Sequence, residues 1–317
     1  MGYVKGRGER AEGGADAEII NRVRTVYIIV GPTAAGKSAR AMELAPRVDG
    51  EILSADSRHV YRRMSIGTNK PTPAERAAAP HHLLDLREPW EPFSLAEYVA
   101  LARAALADVL ARSRTPMLVG GTGQYIRALV EGWQVPEAPP DHALRERLLA
   151  FADAHGPDAL FEQLTTRDPA AALTIDKRNV RRVIRALEVM HATGHTWTEL
   201  QRRTPLDAQF NVRFEWIYVN MPREQLYAVA DARIDAMITH GWLDEMRALL
   251  ADLAARGVDA EEAMRLPALS SLGYRELAEV ILGRRLLPDA VDAVRRETRR
   301  FIRMQDTWFR RLTQIKE

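Results

Sequence analysis

The feature that most constrains the fold of this chain is the octapeptide Gly31-Pro32-Thr33-Ala34-Ala35-Gly36-Lys37-Ser38, which fits the phosphate-loop pattern G-x-x-x-x-G-K-[ST]. A β-branched segment that predicts a strand, Val26–Val30, precedes it, and helix-forming residues follow it from Ala39. A strand, a glycine-rich turn and a helix in this order direct backbone N–H groups and the positive helix end at one point. The sequence therefore predicts an α/β fold with a diphosphate site at this turn.

Two side chains of the loop have predicted roles in that site. Lys37 would neutralise the outer phosphates, and the Ser38 hydroxyl would help to hold Mg²⁺. The alternative, a glycine turn with a purely structural role, explains neither the match at Gly31, Gly36, Lys37 and Ser38 nor its context. The loop alone does not identify the phosphorylated compound, nor does it say whether a phosphoryl group is transferred.

Composition excludes several classes of protein. The 317 residues are 46% hydrophobic and 28% charged, and no apolar segment approaches the roughly 20 residues that span a bilayer. The chain has no cysteine, which excludes disulfides and thiolate chemistry and fits a reducing cytoplasm. Residues 1–24 have mixed charge and several glycines, and we expect a disordered tail with no signal peptide. The sequence therefore predicts a cytoplasmic globular protein with no membrane partner.

Strand and helix patterns alternate over most of the chain. The predicted strands are Val26–Val30, Glu51–Ala55, Leu83–Leu86, Met117–Gly120 and Glu215–Val219. Helical periodicity follows most of them, and Arg223–His240 begins a helical C-terminal part. This order indicates a P-loop NTPase-like parallel sheet flanked by helices.

The pattern changes between residues 133 and 205. Prolines interrupt the chain near residue 136, and three helical segments follow without a strand between them: Asp141–Ala154, Pro157–Thr166 and Lys177–Thr193. We interpret 133–205 as an all-helical insertion domain in an α/β core formed by 25–132 and 206–317.

Two helical segments have arginine on one face, although the formal net charge is only +2. At about 100° per residue each set of arginines lies opposite an apolar face. The sets are Arg178, Arg181, Arg182 and Arg185 in the insertion, and Arg295, Arg296, Arg299, Arg300 and Arg303 near the C-terminus. A solvated face is the alternative, but two faces of this kind favour binding to a phosphate backbone.

Two polar residues follow predicted strands. Asp56 ends the second strand, at the sheet edge where ligands bind, and could accept a proton, bind a metal or cap a helix. Thr122 lies in Gly120-Gly121-Thr122-Gly123 after the fourth strand, where phosphoryl-transferring ATPases have an acidic residue. Its hydroxyl could contact a diphosphate, shape a substrate channel or belong to a tight turn. The missing acid argues against a motor or hydrolase.

Two other groups of residues have weaker interpretations. His81-His82 lacks a third metal ligand at a recognisable spacing, so turn capping or core packing is favoured. The tryptophans at 197, 216, 242 and 308 occupy apolar periodic positions and are predicted to be core, with base stacking as the alternative.

The motifs together resemble the bacterial tRNA dimethylallyltransferases. They are Gly31–Ser38, Ser54-Ala55-Asp56-Ser57, Ile66-Gly67-Thr68-Asn69-Lys70-Pro71, His81–Asp85, Gly120–Gly123, Arg181–Val189, Gly273-Tyr274-Arg275-Glu276 and Thr307-Trp308-Phe309. The resemblance implies Mg²⁺-dependent transfer of a dimethylallyl group from dimethylallyl diphosphate to N6 of the adenosine 3′ of the anticodon, in tRNAs reading U-starting codons. It also implies that a monomer binds the tRNA anticodon arm.

The resemblance assigns roles residue by residue. It implies that Asp56 is the general base, that Thr122 and Lys37 are catalytic, and that Arg233 binds the donor diphosphate. The loop positions that would hold that diphosphate are Thr33, Ala34, Ala35, Gly36, Lys37 and Ser38. The implied tRNA contacts are Asp56, Ser57, Arg58, His59, Thr122, Arg145, Arg181, Arg182, Val183, Ile184, Arg185, Ser270, Ser271, Leu272, Gly273, Tyr274 and Arg275.

Three positions depart from the family pattern. Many members have Gln at His59, Leu at Gln124 and Arg at Val229. These departures affect base contacts and one tRNA or diphosphate contact, but not the loop, Asp56 or Thr122. The alternatives are a P-loop small-molecule or nucleotide kinase, a prenyltransferase acting on free adenine nucleotides, and an RNA-binding protein without catalysis.

Overall fold

A computed structural model of the protein describes residues 23–136, 138–201 and 203–314. All but two residues of the tail predicted at 1–24 therefore lie outside the described residues. Of those two, Arg24 begins the first strand.

Five parallel strands form a single sheet, in the order β3-β2-β4-β1-β5. They are β1 (Arg24–Val30), β2 (Gly50–Ser54), β3 (His81–His82), β4 (Thr115–Gly120) and β5 (Val212–Tyr218). The central strand β1 pairs Ile28 with Leu118 of β4 and with Trp216 of β5. The predicted parallel α/β fold is confirmed, and burial of both sheet faces explains why β1 and β4 read as largely apolar segments.

Fifteen α-helices accompany the sheet in the described part of the chain. They are α1 (Lys37–Val48), α2 (Pro73–Ala78), α3 (Leu95–Ala111), α4 (Gly123–Val130), α5 (His142–His155), α6 (Pro157–Arg167), α7 (Pro169–Ala172), α8 (Val180–Thr193), α9 (Trp197–Leu200), α10 (Leu206–Phe210), α11 (Arg223–Thr239), α12 (Trp242–Ala254), α13 (Ala260–Ala263), α14 (Tyr274–Ile281) and α15 (Leu287–Gln314). Among these helices, none combines the length and the apolar character needed to cross a bilayer.

The strand residues alternate between two hydrophobic clusters, one on each face of the sheet. Ile28 and Leu118 pack with residues of α3 and α4, whereas Ile29 and Met117 pack with residues of α1. This period of two fixes the register of the sheet. It also places the carboxyl ends of β1, β2 and β4 side by side.

The third strand differs from the prediction of Leu83–Leu86. The residues that pair with β2 are His81 and His82, opposite Ile52 and Leu53. Leu83 and Asp85 have φ of 65° and 55°, in the left-handed region that a strand does not use. The backbone therefore turns at Leu83, where the sequence predicted an extended strand. The Leu83 side chain is buried in the hydrophobic cluster on one face of the sheet.

The segment at 142–200 contains helices and no strand within its described residues. Its helices α5, α6 and α8 enclose a separate hydrophobic cluster that includes Leu160, Leu164 and Leu187. The helix predicted at Lys177–Thr193 begins later, because Asn179 accepts a hydrogen bond from the Arg182 N–H and caps α8. The domain division at residues 133 and 205 stays a prediction.

Helix α15 brings the C-terminal part of the chain back to the sheet. It has 28 residues and contacts α4, β5, α11 and α14. Two of its polar side chains, Thr298 and Gln305, are 5% and 6% exposed. Such burial of polar groups is uncommon, and both residues lie beside the carboxyl ends of the strands.

Candidate active site

A cavity of about 740 Å³ lies at the carboxyl ends of β1, β2 and β4. The phosphate loop forms one wall of the cavity, and the segments that follow β2 and β4 form the adjacent wall. Side chains of α11 and α15 close the remaining side. Parallel sheets bind ligands at this edge, so the predicted loop, Asp56 and Thr122 meet in one space.

The phosphate loop adopts a turn that leads directly into α1. Gly36 and Ala34 have φ of 93° and 66°, and α1 begins at Lys37. The Lys37 Nζ donates to the Pro32 carbonyl at 2.7 Å. Burial lowers the pKa of Lys37 to about 8, although the nearby Asp56 carboxylate opposes this shift. An ammonium held at such a desolvation cost is a binding group for an anion.

Arg233 supplies a second positive charge at the same end of the cavity. It projects from α11 and donates through Nη2 to the Thr33 hydroxyl at 2.7 Å. Burial lowers its pKa, against the attraction of Asp56. Its Nε is buried and has no protein partner among the described residues. Arg233 and Lys37 therefore lie close enough to disfavour each other's charge, which a bound diphosphate would relieve.

Asp56 lies on the segment that follows β2, half-buried in the cavity wall. Its carboxylate accepts from the Arg58 N–H at 2.8 Å. Burial alone would raise the pKa of Asp56, but His59, the Arg58 N–H and Lys37 outweigh it, and the pKa lies below the ordinary value. The carboxylate is therefore ionised at neutral pH and can accept a proton.

His59 is held by two hydrogen bonds near this carboxylate. Its Nδ1 lies 3.1 Å from the Ser54 hydroxyl, and its Nε2 lies 3.1 Å from the Thr68 carbonyl. Because a carbonyl only accepts, Nε2 carries a proton and donates to Thr68. The ring therefore connects the end of β2 to the segment at 65–70 on the cavity rim.

Thr122 is hydrogen-bonded to the segment after β2, which contains Asp56. Its hydroxyl accepts from the Ser57 N–H at 2.9 Å, and its own N–H donates to the Ala55 carbonyl at 3.0 Å. The hydroxyl therefore does not cap α4, although Thr122 occupies the N-cap position. Gly120 allows this contact, since a Cβ there would lie 2.2 Å from the Ala55 oxygen.

The wall formed by α15 was not part of the predicted site. Its apolar members Phe301, Met304 and Trp308 line the cavity. The Trp308 ring packs directly on Gly123, where a Cβ would lie 2.2 Å from the ring. Trp308 is half-buried at the site, and of the four tryptophans predicted as core only Trp242 is fully buried. No local sequence pattern distinguishes a cavity wall from an ordinary apolar helix face.

The predicted RNA-contact residues near the rim divide into two groups. Ser270 and Arg275 are exposed, and the Arg58 guanidinium donates to the Pro267 carbonyl and to the Ser270 hydroxyl, at 2.7 and 3.2 Å. Tyr274 is fully buried and its hydroxyl donates to Glu245. The Tyr274 side chain therefore packs beneath the rim, and contact of position 274 with tRNA stays a prediction.

The predicted RNA contacts in the insertion also divide by exposure, and none of them lines the cavity. Arg181 and Arg182 are exposed on α8, whereas Val183 and Ile184 are 1% and 4% exposed within its apolar cluster. These two side chains therefore pack inside the insertion, and contact of positions 183 and 184 with tRNA stays a prediction. Arg145 and Arg185 donate to the buried carboxylate of Glu188, at 2.9 and 2.6 Å. Both arginines thus have a structural partner already.

The C-terminal arginine face is partly neutralised inside the fold. Arg295 pairs with Asp235 of α11 at 2.6 Å, and Arg299 pairs with Asp231 of the same helix. These two ion pairs join α15 to α11. Arg296, Arg300 and Arg303 of the same face are exposed, and RNA binding by this face stays a prediction. Asp235 and Asp231 lie 60 and 68 residues earlier in the chain, where helical periodicity cannot reveal them, whereas the second partner of Arg295, Asp292, is on α15 itself.

The metal prediction concerns Ser38, whose exposed side chain lines the cavity near Asp56. Within the described ranges, no three His, Asp or Glu residues form a group that could hold a metal ion. Mg²⁺ usually retains waters and binds one or two carboxylates together with substrate phosphates. A Mg²⁺ ion held by the Ser38 hydroxyl and by the phosphates of the donor therefore stays a prediction.

Family models and known proteins match most of this chain. The sequence model of the IPP transferase family matches residues 59–312, and that of the Isopentenyl transferase family matches residues 24–88. The tRNA dimethylallyltransferase of Chloroflexus aurantiacus is 49% identical over 90% of this chain and 93% of its own length. That of Thermomicrobium roseum is 42% identical over 93% of this chain and 86% of its own.

Two solved structures are similar to this one. The tRNA isopentenylpyrophosphate transferase of Bacillus halodurans has a TM-score of 0.61 and 36% identity, covering 91% of this chain and 87% of that one. A eukaryotic dimethylallyltransferase acting on tRNA has a TM-score of 0.71 and 26% identity, covering 90% of this chain and 69% of that one.

Proposed function

The chain belongs to the IPP transferase family, and we propose on that basis that it is a tRNA dimethylallyltransferase. It transfers a dimethylallyl group from dimethylallyl diphosphate to N6 of the adenosine 3′ of the anticodon, in tRNAs reading codons that begin with U. The supporting observation is the cavity that combines the cations Lys37 and Arg233, the ionised Asp56 and an apolar wall from α15.

The donor end of the cavity would stabilise the leaving group. An allylic diphosphate loses its C–O bond readily once the negative charge on the departing diphosphate is compensated. Lys37, Arg233 and the loop N–H groups supply that compensation, in a preorganised and partly desolvated site. A bound Mg²⁺ would add further positive charge to the diphosphate. No acidic residue is required after Val119, because no water has to be directed at phosphorus.

The acceptor end would provide the base. The exocyclic amine of adenine is a very weak acid, so the Asp56 carboxylate removes its proton while the C–N bond forms rather than before. Thr122 is held against the Asp56 segment by the Ser57 N–H, in a position to contact the adenosine. Phe301, Met304 and Trp308 would cover the allyl group and keep water from the electron-deficient carbon.

The RNA partner is the tRNA anticodon arm. An adenosine in a single-stranded loop can be turned into the cavity at low cost, because no base pair has to be broken. Arg181 and Arg182 are exposed and would contact phosphates of the arm. We expect the enzyme to act as a monomer in the cytoplasm.

Parallel acceptor assays test the proposal. The protein is incubated with Mg²⁺, dimethylallyl diphosphate and either an unmodified anticodon stem-loop or AMP, and each product is weighed by mass spectrometry. The expected result is one dimethylallyl group on the stem-loop and none on AMP. Modification of AMP alone would indicate a nucleotide prenyltransferase. No modification of either, together with phosphoryl transfer from ATP to a small molecule, would indicate a kinase.

Asp56→Asn supplies the matched variant. It keeps the shape of the side chain and can still accept from the Arg58 N–H, but it removes the base. The expected result is loss of turnover with tRNA affinity retained. An equal loss of tRNA affinity would show that Asp56 supports binding instead of proton transfer.

A further inference from the structure

The side chain of Gln305 lies between the two halves of the candidate site. Its Oε1 accepts from the Thr33 N–H at 2.8 Å, and its Nε2 donates to the Gly121 carbonyl at 2.8 Å. The residue projects from α15 and is 6% exposed. The phosphate loop, the turn after β4 and the C-terminal helix therefore meet at one amide group.

Each partner of Gln305 is attached to a functional element. Thr33 accepts from Arg233 through its hydroxyl, so the N–H that Gln305 binds belongs to the diphosphate end of the cavity. Gly121 directly precedes Thr122, whose hydroxyl accepts from the Ser57 N–H beside the predicted base. Gln305 is thus a direct link from the donor end to the acceptor end.

The Gln305 amide lies directly against the backbone of Gly121. A Cβ at this position would lie 2.6 Å from the Gln305 Nε2, so only glycine lets the amide approach so closely. A buried amide is costly unless its donor and acceptor are both engaged, and here both are. Directional hydrogen bonds at both ends hold the two loops at a fixed separation, which apolar packing would not specify.

We propose that Gln305 is a positioning residue that sets the distance between the donor diphosphate and the acceptor amine. The inference rests on the proposed prenyl transfer. The C–O bond of the donor breaks while the C–N bond to adenosine forms, and a misplacement of about 1 Å can cost about 100-fold in rate. Gln305 lines the same cavity, and both of its side-chain hydrogen bonds go to the loops, so its effect is transmitted through Thr33 and Gly121.

A wider separation between the donor and the acceptor amine has a second consequence, because water can then reach the allylic carbon of the donor. Water attacks that carbon as its bond to the diphosphate breaks, which gives dimethylallyl alcohol, diphosphate and a proton. Diphosphate release would no longer match prenylation. The ratio of diphosphate released to adenosine modified therefore reports on positioning, whereas a smaller folded fraction lowers both products together.

Gln305→Met is the main test, since methionine preserves volume and removes both hydrogen bonds. At saturating tRNA and donor, we expect prenylation to slow about 10- to 100-fold while tRNA affinity is unchanged. The product ratio should be one for the wild type and above one for the variant. Gln305→Glu keeps the acceptor for Thr33 and loses the donor to Gly121, so it serves if the methionine variant does not fold, and the ratio should again exceed one.

Asp306→Asn is the matched control on the adjacent residue. The Asp306 carboxylate accepts from the Tyr218 hydroxyl and pairs with Arg310, so it anchors the same helix to β5 without contacting either loop. We expect a lower unfolding temperature and a product ratio of one. A product ratio of one for the Gln305 variants, whether at full or reduced rate, would overturn this inference and leave the proposed function standing. A wild type that modifies no adenosine would instead refute the proposed function, and the inference with it.

Discussion

Replacing Lys37 by methionine should make the protein more stable while removing its activity. The pKa of Lys37 falls from 10.5 to about 8, chiefly through burial. Each unit is worth about 1.4 kcal/mol, so holding the charged form in the folded protein costs about 3 kcal/mol at neutral pH. Methionine avoids that cost but loses the hydrogen bond to the Pro32 carbonyl, worth about 1 kcal/mol. The expected net stabilisation is about 2 kcal/mol.

Urea unfolding at pH 7, followed by circular dichroism, measures this difference in the free energy of unfolding. The pH dependence gives an independent check. Between about pH 8 and 10.5 the unfolded wild type holds the Lys37 proton that the folded protein has released, so wild-type stability rises relative to the variant. The advantage of Lys37→Met should therefore shrink over this interval. Saturating diphosphate should also raise the stability of the wild type relative to the variant, because we expect this ligand to bind Lys37.

Lys70→Met is the control, since Lys70 is a buried lysine whose ammonium has protein partners. Its Nζ donates to Asp85 at 2.7 Å and to the Tyr61 carbonyl. Burial lowers the pKa of Lys70 as well, but its removal leaves the Tyr61 carbonyl without this donor and Asp85 with Arg76 as its remaining partner. The expected result is a destabilisation of about 1–3 kcal/mol. A Lys37→Met variant that is less stable than the wild type at pH 7 would refute the view that Lys37 is held at a cost for anion binding.

Three further predictions follow from the same structure. Gly123→Ala should lower the free energy of unfolding by about 1–3 kcal/mol in urea titrations, because its Cβ would lie 2.2 Å from the Trp308 ring; wild-type stability would contradict that packing. Arg181→Ala should reduce the slope of log affinity for tRNA against log salt by about one, whereas the paired Arg295→Ala should leave the slope unchanged; filter binding at several salt concentrations distinguishes them. In steady-state kinetics, kcat/KM for the donor should fall above about pH 8, because Lys37 then loses its proton. Below neutral pH, kcat/KM should stay level until the pH approaches the lowered pKa of Asp56.

The donor end of the site could be predicted because its residues are local in sequence. The loop at Gly31–Ser38 contains its own strand, turn and helix signals, and Asp56 and Thr122 follow strands whose ends meet in any parallel sheet of this order. Four of the five predicted strands overlap the observed ones. The exception, Leu83–Leu86, failed because left-handed backbone at Leu83 is not visible in its side chain.

The remaining part of the site depends on contacts between distant segments. Gln305 binds a loop 272 residues earlier in the chain, and no pattern around it differs from that of any polar residue on an amphipathic helix. For the same reason, the partner that Asp231 provides for Arg299 is visible only once α11 is placed beside α15. Periodicity identifies which face of a helix is buried but not what that face contacts.

Locating the modified nucleoside tests the central claim most directly. Unmodified tRNA is incubated with the protein, Mg²⁺ and dimethylallyl diphosphate, digested with a nuclease, and the fragments are sequenced by tandem mass spectrometry. We predict a single dimethylallyl group, on N6 of the adenosine 3′ of the anticodon, and none with Asp56→Asn. Modification at another nucleotide, or an unmodified tRNA in the presence of active donor, would contradict the proposed function.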